Sequence, residues 1–202
     1  MQMTDPSEKI TSRDRLTHAG KVLFARLGYE QTSTAAIARE AGSSESQLMR
    51  YFGGKAGLLE SIFNESWAEV IARVGEEIPE STPAHDAILR MLSITMEAFG
   101  RDRDIAVIFL FEGRRIRGNE VTLSRGFLQF YQAVQAVIRR GQKDGSFRSD
   151  LNPLVLGAAF LGAAEGMMRD RLMAERQGLP KPFDDDDVRK TFQAIIDGVS
   201  GG

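Results

Sequence analysis

Apolar residues recur at helical spacing through most of the chain. Leu58, Ile62, Phe63 and Val70 mark one side of a long helix that begins near Lys55, because residues three or four positions apart lie on the same face of a helix. Alternation of apolar and polar residues, which is typical of half-buried strands, does not persist anywhere in the sequence. The pattern therefore predicts an all-α fold of about nine helices.

Four further apolar stripes predict helices in the C-terminal part. They are Ile88, Met91, Leu92, Thr95 and Phe99; Ile105, Ile108, Phe109 and Ile116; Phe127, Tyr131, Val134 and Ile138; and Val188, Phe192, Ile195, Ile196 and Val199. Asp102 or Asp104 can cap the second of these helices, and Gly141 is predicted to end the third. Pro153 suits the first turn of the helix that follows.

Residues 154–168 contain a single charge, Glu165, and small or apolar side chains face every direction. A helix that is apolar all round is buried all round, and a second copy of the chain is the most economical cover for its outer face. Residues 154–176 and 184–199 are therefore predicted to form a four-helix homodimer interface. The interface residues that we expect are Leu161, Gly162, Glu165, Met168, Phe192 and Ile195.

Two short helical patterns meet at Gly42, which can end the first because glycine enters the left-handed region without steric penalty. Ser33 or Thr34 can cap the first helix, and Ser43 or Ser44 can cap the second. Two such helices joined by a glycine turn, the second with a polar exposed face, form a helix-turn-helix. The alternative is a packing corner of the kind that any helical protein contains.

Polar side chains share the outward face of the second helix, which has the dimensions to enter the DNA major groove. Arg50 is expected to contact guanine and Gln47 adenine at their base edges; alternatively, Arg50 solvates the helix end or pairs with Glu45. Thr34, Ser44, Tyr51 and Lys55 are expected to contact phosphates. The residues that we expect to contact DNA are Ser33, Thr34, Ser44, Gln47, Arg50, Tyr51 and Lys55.

An ordered set of motifs spans about fifty residues around this corner. The motifs are Leu23-Phe24, Leu27-Gly28-Tyr29, Ile37-Ala38-Arg39-Glu40-Ala41-Gly42, Leu48, Tyr51-Phe52-Gly53-Gly54-Lys55 and Leu58-Leu59. In these motifs, residues 13–63 resemble the DNA-binding head of the TetR (tetracycline-repressor-like) family. Met49 and Glu45 depart from that family's pattern, which usually has an aromatic and often a basic residue there.

The resemblance implies a helix-turn-helix domain at residues 1–55 and a helical effector-binding and dimerisation domain at residues 56–202. It implies a homodimeric transcriptional repressor, released from a near-palindromic double-stranded DNA operator by a small-molecule effector. The alternative is a helical protein-interaction module whose helix-turn-helix does not bind DNA, in line with Met49 and Glu45.

Bulky, adaptable side chains on the inner faces of the predicted body helices suggest where an effector binds, although such stripes are more often plain core. The ligand-binding residues that the resemblance favours are Met91, Phe99, Phe109, Glu112, Phe127 and Tyr131. Glu112 falls on an apolar stripe, so its carboxylate is expected to be paired, hydrated or near a helix end. Pairing with Arg115 or with an arginine of another helix is one possibility, and contact with a cationic or hydroxylated effector is the other.

Composition narrows the function classes. The 202 residues are 42% hydrophobic and carry a net charge of −2, with +2 on residues 1–55 and −4 on the remainder, which suits a DNA-reading head on an acidic body. The chain has no cysteine, and its two histidines, His18 and His85, lie far apart in sequence. We therefore expect no metal site and no cofactor, and we do not expect the protein to be an enzyme. The absence of a signal pattern or membrane span favours a cytoplasmic protein.

Overall fold

The computed structural model describes residues 11–112, 116–117, 120–121 and 125–201, the two short stretches by their backbone alone. The helices among these residues are α1 (Ser12–Leu27), α2 (Thr34–Glu40), α3 (Glu45–Phe52), α4 (Lys55–Glu77), α5 (Ala84–Arg101), α6 (Arg103–Glu112), α7 (Arg125–Asp144), α8 (Pro153–Arg176) and α9 (Asp185–Gly198). The strands β1 (Ile116–Arg117) and β2 (Glu120–Val121) pair antiparallel between α6 and α7. The all-α prediction is confirmed.

The chain divides into two compact units after Ile62. The first unit holds α1, α2, α3 and the beginning of α4, and the second holds the remaining elements. The boundary between residues 55 and 56 stays a prediction.

The stretch around Ile116 differs from the sequence prediction, which placed this residue on a helix face and found no strand. The helix α6 ends at Glu112, and Ile116 pairs with Val121 across the two strands. Ile116 and Val121 are both β-branched, and such side chains favour strands over helices.

Residues at the helix starts fix where several of the helices begin. Asp102 accepts a hydrogen bond from the backbone N–H of Ile105 at the start of α6 (3.2 Å). Pro153 occupies the first turn of α8. The helix α9 begins with a reciprocal capping box between Asp184 and Asp187, so the carboxylates lie where the helix dipole favours negative charge.

Gly141 does not end α7, which continues to Asp144. Gly141 is buried, and a Cβ atom there would lie 2.4 Å from the ring of Phe147 and 2.8 Å from the Cβ of Ala84. This glycine therefore permits a close approach of neighbouring chain segments, a requirement that the sequence alone does not distinguish from a helix stop.

Trp67 of α4 forms the centre of the second unit and is almost completely buried. Its ring centroid lies between 5.1 and 5.6 Å from those of four phenylalanines, three of them in edge-to-face geometry. These phenylalanines are Phe99 of α5, Phe109 of α6, and Phe127 and Phe130 of α7. Aromatic pairs of this kind each add about 0.5–1.5 kcal/mol beyond the area that they bury, so one side chain joins four helices.

We predict that Gly126→Ala destabilises the protein by about 1–3 kcal/mol, because overpacking a filled core forces neighbouring side chains to move. A Cβ atom at Gly126 would lie 2.2 Å from the Cβ of Trp67. The matched control is Gly75→Ala in α4, where a Cβ meets nothing within 4 Å, and a stabilisation of up to about 1 kcal/mol is expected. Urea denaturation of both variants measures the difference, and equal effects would contradict the packing described.

Candidate nucleic-acid interface

The helix-turn-helix rests on α1, which packs against both α2 and α3. Leu16 of α1, Ile37 of α2 and Leu48 of α3 are fully buried. The guanidinium of Arg15 donates through Nε to the carbonyl of Ala41, where α2 ends (3.0 Å). The corner is therefore fixed by apolar packing on one side and by a charged hydrogen bond at the turn.

Two predicted features of the corner are confirmed by the backbone. Gly42 has φ of +55°, in the left-handed region. Ser33 accepts a hydrogen bond from the N–H of Ala36 and caps α2 (3.1 Å), and Ser44 does the same for Gln47 at the start of α3 (3.2 Å). At the other end of α3, glycines with φ of +69° and +119° turn the chain into α4.

The structure brings the predicted base-reading residues together on the outward face of α3. The hydroxyl of Ser43 donates to the amide oxygen of Gln47 (2.6 Å). Arg50 donates to the hydroxyl of Tyr51 (3.0 Å), and its guanidinium lies 4.8 Å from the centre of that ring. Leu48 lies on the opposite, buried side. Arg50 and Tyr51 are exposed and Gln47 is half-buried, and contacts between neighbouring side chains already order this polar face.

Glu45 is held by Thr34, whose hydroxyl donates to its carboxylate (2.6 Å). The structure thus gives Glu45 a different partner from the one considered in sequence, since Arg50 contacts Tyr51 instead. Met49, one turn further along α3, is 54% exposed. The contact between Thr34 and Glu45 was missed because eleven positions and a turn separate them.

Lys55 has a structural partner in addition to its predicted DNA contact. Its ammonium donates to the carbonyl of Tyr29 (2.9 Å) and lies 4.2 Å from the centre of that ring. This contact ties the start of α4 to the end of α1. Thr32, which sequence reasoning also missed, is buried and donates to the carbonyl of Gly28 (2.8 Å).

The predicted ligand-binding residues lie in the filled interior of the second unit. Phe99, Phe109 and Phe127 surround Trp67, and Tyr131 lies beside Phe127 with ring centroids 6.4 Å apart. Met91 lines an apolar cavity of about 40 Å³ between α5, α7, α8 and α9. Glu112 is buried at the last position of α6, and Arg115, one of its predicted partners, lies outside the described residues.

The predicted dimer residues fall into two groups. Met168 and Phe192 are buried within the single chain. Gly162 is exposed, and Leu161, Glu165 and Ile195 are half-buried. Large apolar side chains on α8 add to this exposed surface: Leu154, Val155 and Met173.

Among the described residues, no group of three or more histidine, aspartate or glutamate side chains could hold a metal ion. His85 instead lies 2.9 Å from the carboxylate of Asp197 and 3.0 Å from the amide of Gln193. None of the described helices has the length and apolar character that a membrane crossing requires.

Comparison with known proteins adds sequence and structural relatives. A family model described as bacterial regulatory proteins, tetR family, matches residues 16–62. The HTH-type transcriptional regulator UidR of Escherichia coli (strain K12) is 24% identical over 164 residues, or 81% of this chain and 83% of that protein. The fatty acid metabolism regulator protein of Bacillus subtilis (strain 168) is 23% identical over 167 residues, or 81% and 84%.

A solved structure extends the likeness to nearly the whole chain. The transcriptional regulator FadR from Bacillus subtilis, in complex with stearoyl-CoA, superposes with a TM-score of 0.75. The two chains are 18% identical, and the match covers 90% of this chain and 96% of that one. At this identity the comparison shows a shared fold.

A capped polar helix, exposed on a two-helix corner and supported by a third helix, is the arrangement typical of helix-turn-helix DNA-binding proteins. The family model matches this part of the chain, and the curated relatives match most of its length. Residues 16–62 therefore form a TetR-type helix-turn-helix head, and over most of its length the chain is similar to HTH-type transcriptional regulators.

Proposed function

We propose that this regulator is a homodimeric repressor that binds a near-palindromic operator through α3 and is released by a small-molecule effector. The observation that carries the proposal is the exposed polar face of α3, held on a TetR-type head. The same function accounts for a cytoplasmic location, where the operator DNA is found.

Base reading is assigned to Arg50 and Gln47. Arg50 is exposed and stacked on Tyr51, so its planar fork is available for the O6 and N7 atoms of guanine. Gln47 already accepts from Ser43 through its amide oxygen, which leaves its amide N–H groups to donate to acceptors on a base edge. This arrangement favours a purine N7 opposite Gln47 over the bidentate adenine contact expected from sequence.

Phosphate contacts are assigned to the residues around the two helix starts and to the beginning of α4. Backbone N–H groups at the start of α3 attract a phosphate, and Ser44 lies at that position. We assign further phosphate contacts to Thr34, Tyr51 and Lys55. Because Glu45 is held against Thr34, its carboxylate opposes a phosphate there and makes binding weaker than a basic residue would.

We predict that Arg50→Ala changes which sequences are bound, with a loss of about 1–3 kcal/mol of discrimination at one base pair. Lys55→Ala is expected to weaken binding to all sequences alike. It is also expected to reduce the slope of log affinity against log salt concentration by about one, because one phosphate contact is lost. Selection from randomised duplex DNA measures the first effect, and titrations at several salt concentrations measure the second.

Thermal melting is required as a control for Lys55→Ala, because the contact with Tyr29 is lost together with the charge. If both variants lowered affinity uniformly without changing the selected sequence, the division between base-reading and phosphate-contacting residues would be wrong.

Dimerisation is assigned to the outer faces of α8 and α9. Val155 is 65% exposed and Leu154 50%, and Gly162 presents no side chain, so a second backbone can approach closely. Ile195 of α9 is half-buried, and we assign it to the same interface. A two-fold pair of heads would read half-sites about one helical turn apart or a little more.

We predict that Ile195→Glu yields a monomer or an aggregate, because an unpaired carboxylate is costly to bury in an apolar interface. The matched control is Leu128→Glu on α7, which changes an exposed leucine outside the proposed interface and is expected to leave the dimer intact. Analytical ultracentrifugation distinguishes these states. A monomeric Ile195→Glu protein with undiminished operator affinity would refute the dimer as the DNA-binding form.

Effector control is assigned to the second unit. One structural relative contains stearoyl-CoA, and another, from Saccharomonospora viridis, contains choline; these ligands differ so much that the likeness selects neither. An effector at Met91, Phe99, Phe109, Glu112, Phe127 and Tyr131 would have to displace rings packed on Trp67. Since α4 contains both Trp67 and Lys55, a state with displaced rings offers a route to altered DNA binding.

A further inference from the structure

A groove on the second unit lies apart from the Trp67 cluster, between the C-terminal halves of α5 and α8 and the beginning of α9. It has two lobes, of about 590 and 320 Å³, which share Met96, Glu97 and Asp185. Each lobe falls in the size range of small-molecule sites, about 300–1,000 Å³. Residues of the second unit alone form this groove, so a ligand can be tested there without DNA.

Arg171 of α8 lines the larger lobe with hydrogen-bonding capacity that the described residues leave unused. Its Nη1 donates to Asp185 (2.5 Å), and the ring of Phe183 covers the guanidinium with the centroid 5.1 Å from Cζ. Its Nε and Nη2 are buried, and no acceptor for either lies in the described part of the chain. Unsatisfied buried donors on a charged group are costly. An acceptor that binds Nε and Nη2 of Arg171 would remove this cost.

The carboxylates that line the groove already have other partners. Glu97 accepts from Arg73 (2.8 Å), and this hydrogen bond holds the pKa of Glu97 below its ordinary value. Glu175 lies 3.3 Å from Arg103. Asp185 is bound by Arg171 and lies 3.6 Å from Lys181. The unused hydrogen-bonding groups of the larger lobe are therefore the donors of Arg171, which suit an anion.

The smaller lobe is lined on one side by apolar side chains, Leu89, Leu92 and Val188, with the shared Met96. A ligand that satisfies Arg171 can extend an apolar chain along them. The carboxylates nearby disfavour a doubly charged head, whereas a single carboxylate matches the planar fork of arginine with two parallel hydrogen bonds.

We propose that this groove is a binding site for a monocarboxylate with an apolar chain. The carboxylate binds Nε and Nη2 of Arg171 with Lys181 nearby, and the chain lies against Leu89, Leu92 and Val188. Phe183 precedes α9 in the connection from α8, and its ring must turn away from the guanidinium to admit the head group.

The test uses isothermal titration of the full chain with decanoate and with 1-decanol, which has the same chain length and no charge. Decanoate is expected to bind at one site per chain, and decanol about tenfold more weakly or worse, because a bidentate charged contact is lost. Arg171→Gln is expected to weaken decanoate about tenfold or more and to leave decanol unchanged. Arg139→Gln, an exposed arginine of α7 outside the groove, is the matched control.

Thermal melting shows whether Arg171→Gln remains folded. If it does not, Lys181→Gln decides the question, since Lys181 lies on the exposed connection between α8 and α9 and its loss is expected to weaken decanoate severalfold. The proposal is overturned if wild-type protein binds no decanoate, if decanol binds equally well, or if the folded variant binds decanoate as tightly as wild type. Because no DNA is present, these outcomes are independent of the operator and repressor proposals.

Discussion

The protein depends on holding a very short helix in a fixed position. The helix α3 contains eight residues, whereas isolated helices shorter than about 12–15 residues are marginal in water. Its stability therefore comes from its surroundings: Ser44 caps its start, Gly53 ends it in the left-handed region, and the fully buried Leu48 packs it against the head. With these supports in place, the opposite face is free to carry the polar side chains to which we assign DNA recognition.

The second unit relies on a different constraint, the packing of aromatic rings on Trp67. Four helices meet at this side chain, so a ligand that enters there must repack all of them, and interiors of this density respond by switching between discrete arrangements. The groove at Arg171 can take a ligand at far smaller cost, because its volume exists without moving a helix. A ligand at the Trp67 cluster would therefore be coupled more strongly to the rest of the second unit than a ligand in the groove at Arg171.

Much of the fold could be predicted because helix periodicity and capping are local. The buried stripe of α5 and the caps at Ser33, Ser44 and Asp102 follow from residues within one or two turns. The close packing at Gly141 could not, since its neighbour Ala84 belongs to another helix. The polar face of α3 was readable in sequence for the same local reason, but the contact between Thr34 and Glu45 required the turn to fold first.

The central claim is that a pair of these heads binds DNA through α3. Fluorescence anisotropy with labelled duplex from the regions flanking the protein's own coding sequence tests it most directly. We predict saturable binding that weakens about a hundredfold or more between about 50 and 200 mM salt, because each neutralised phosphate releases counterions. Binding that is absent even at low salt, or that does not change with salt, would contradict this account and would favour the helical interaction module in which Glu45 and Met49 have abolished DNA affinity.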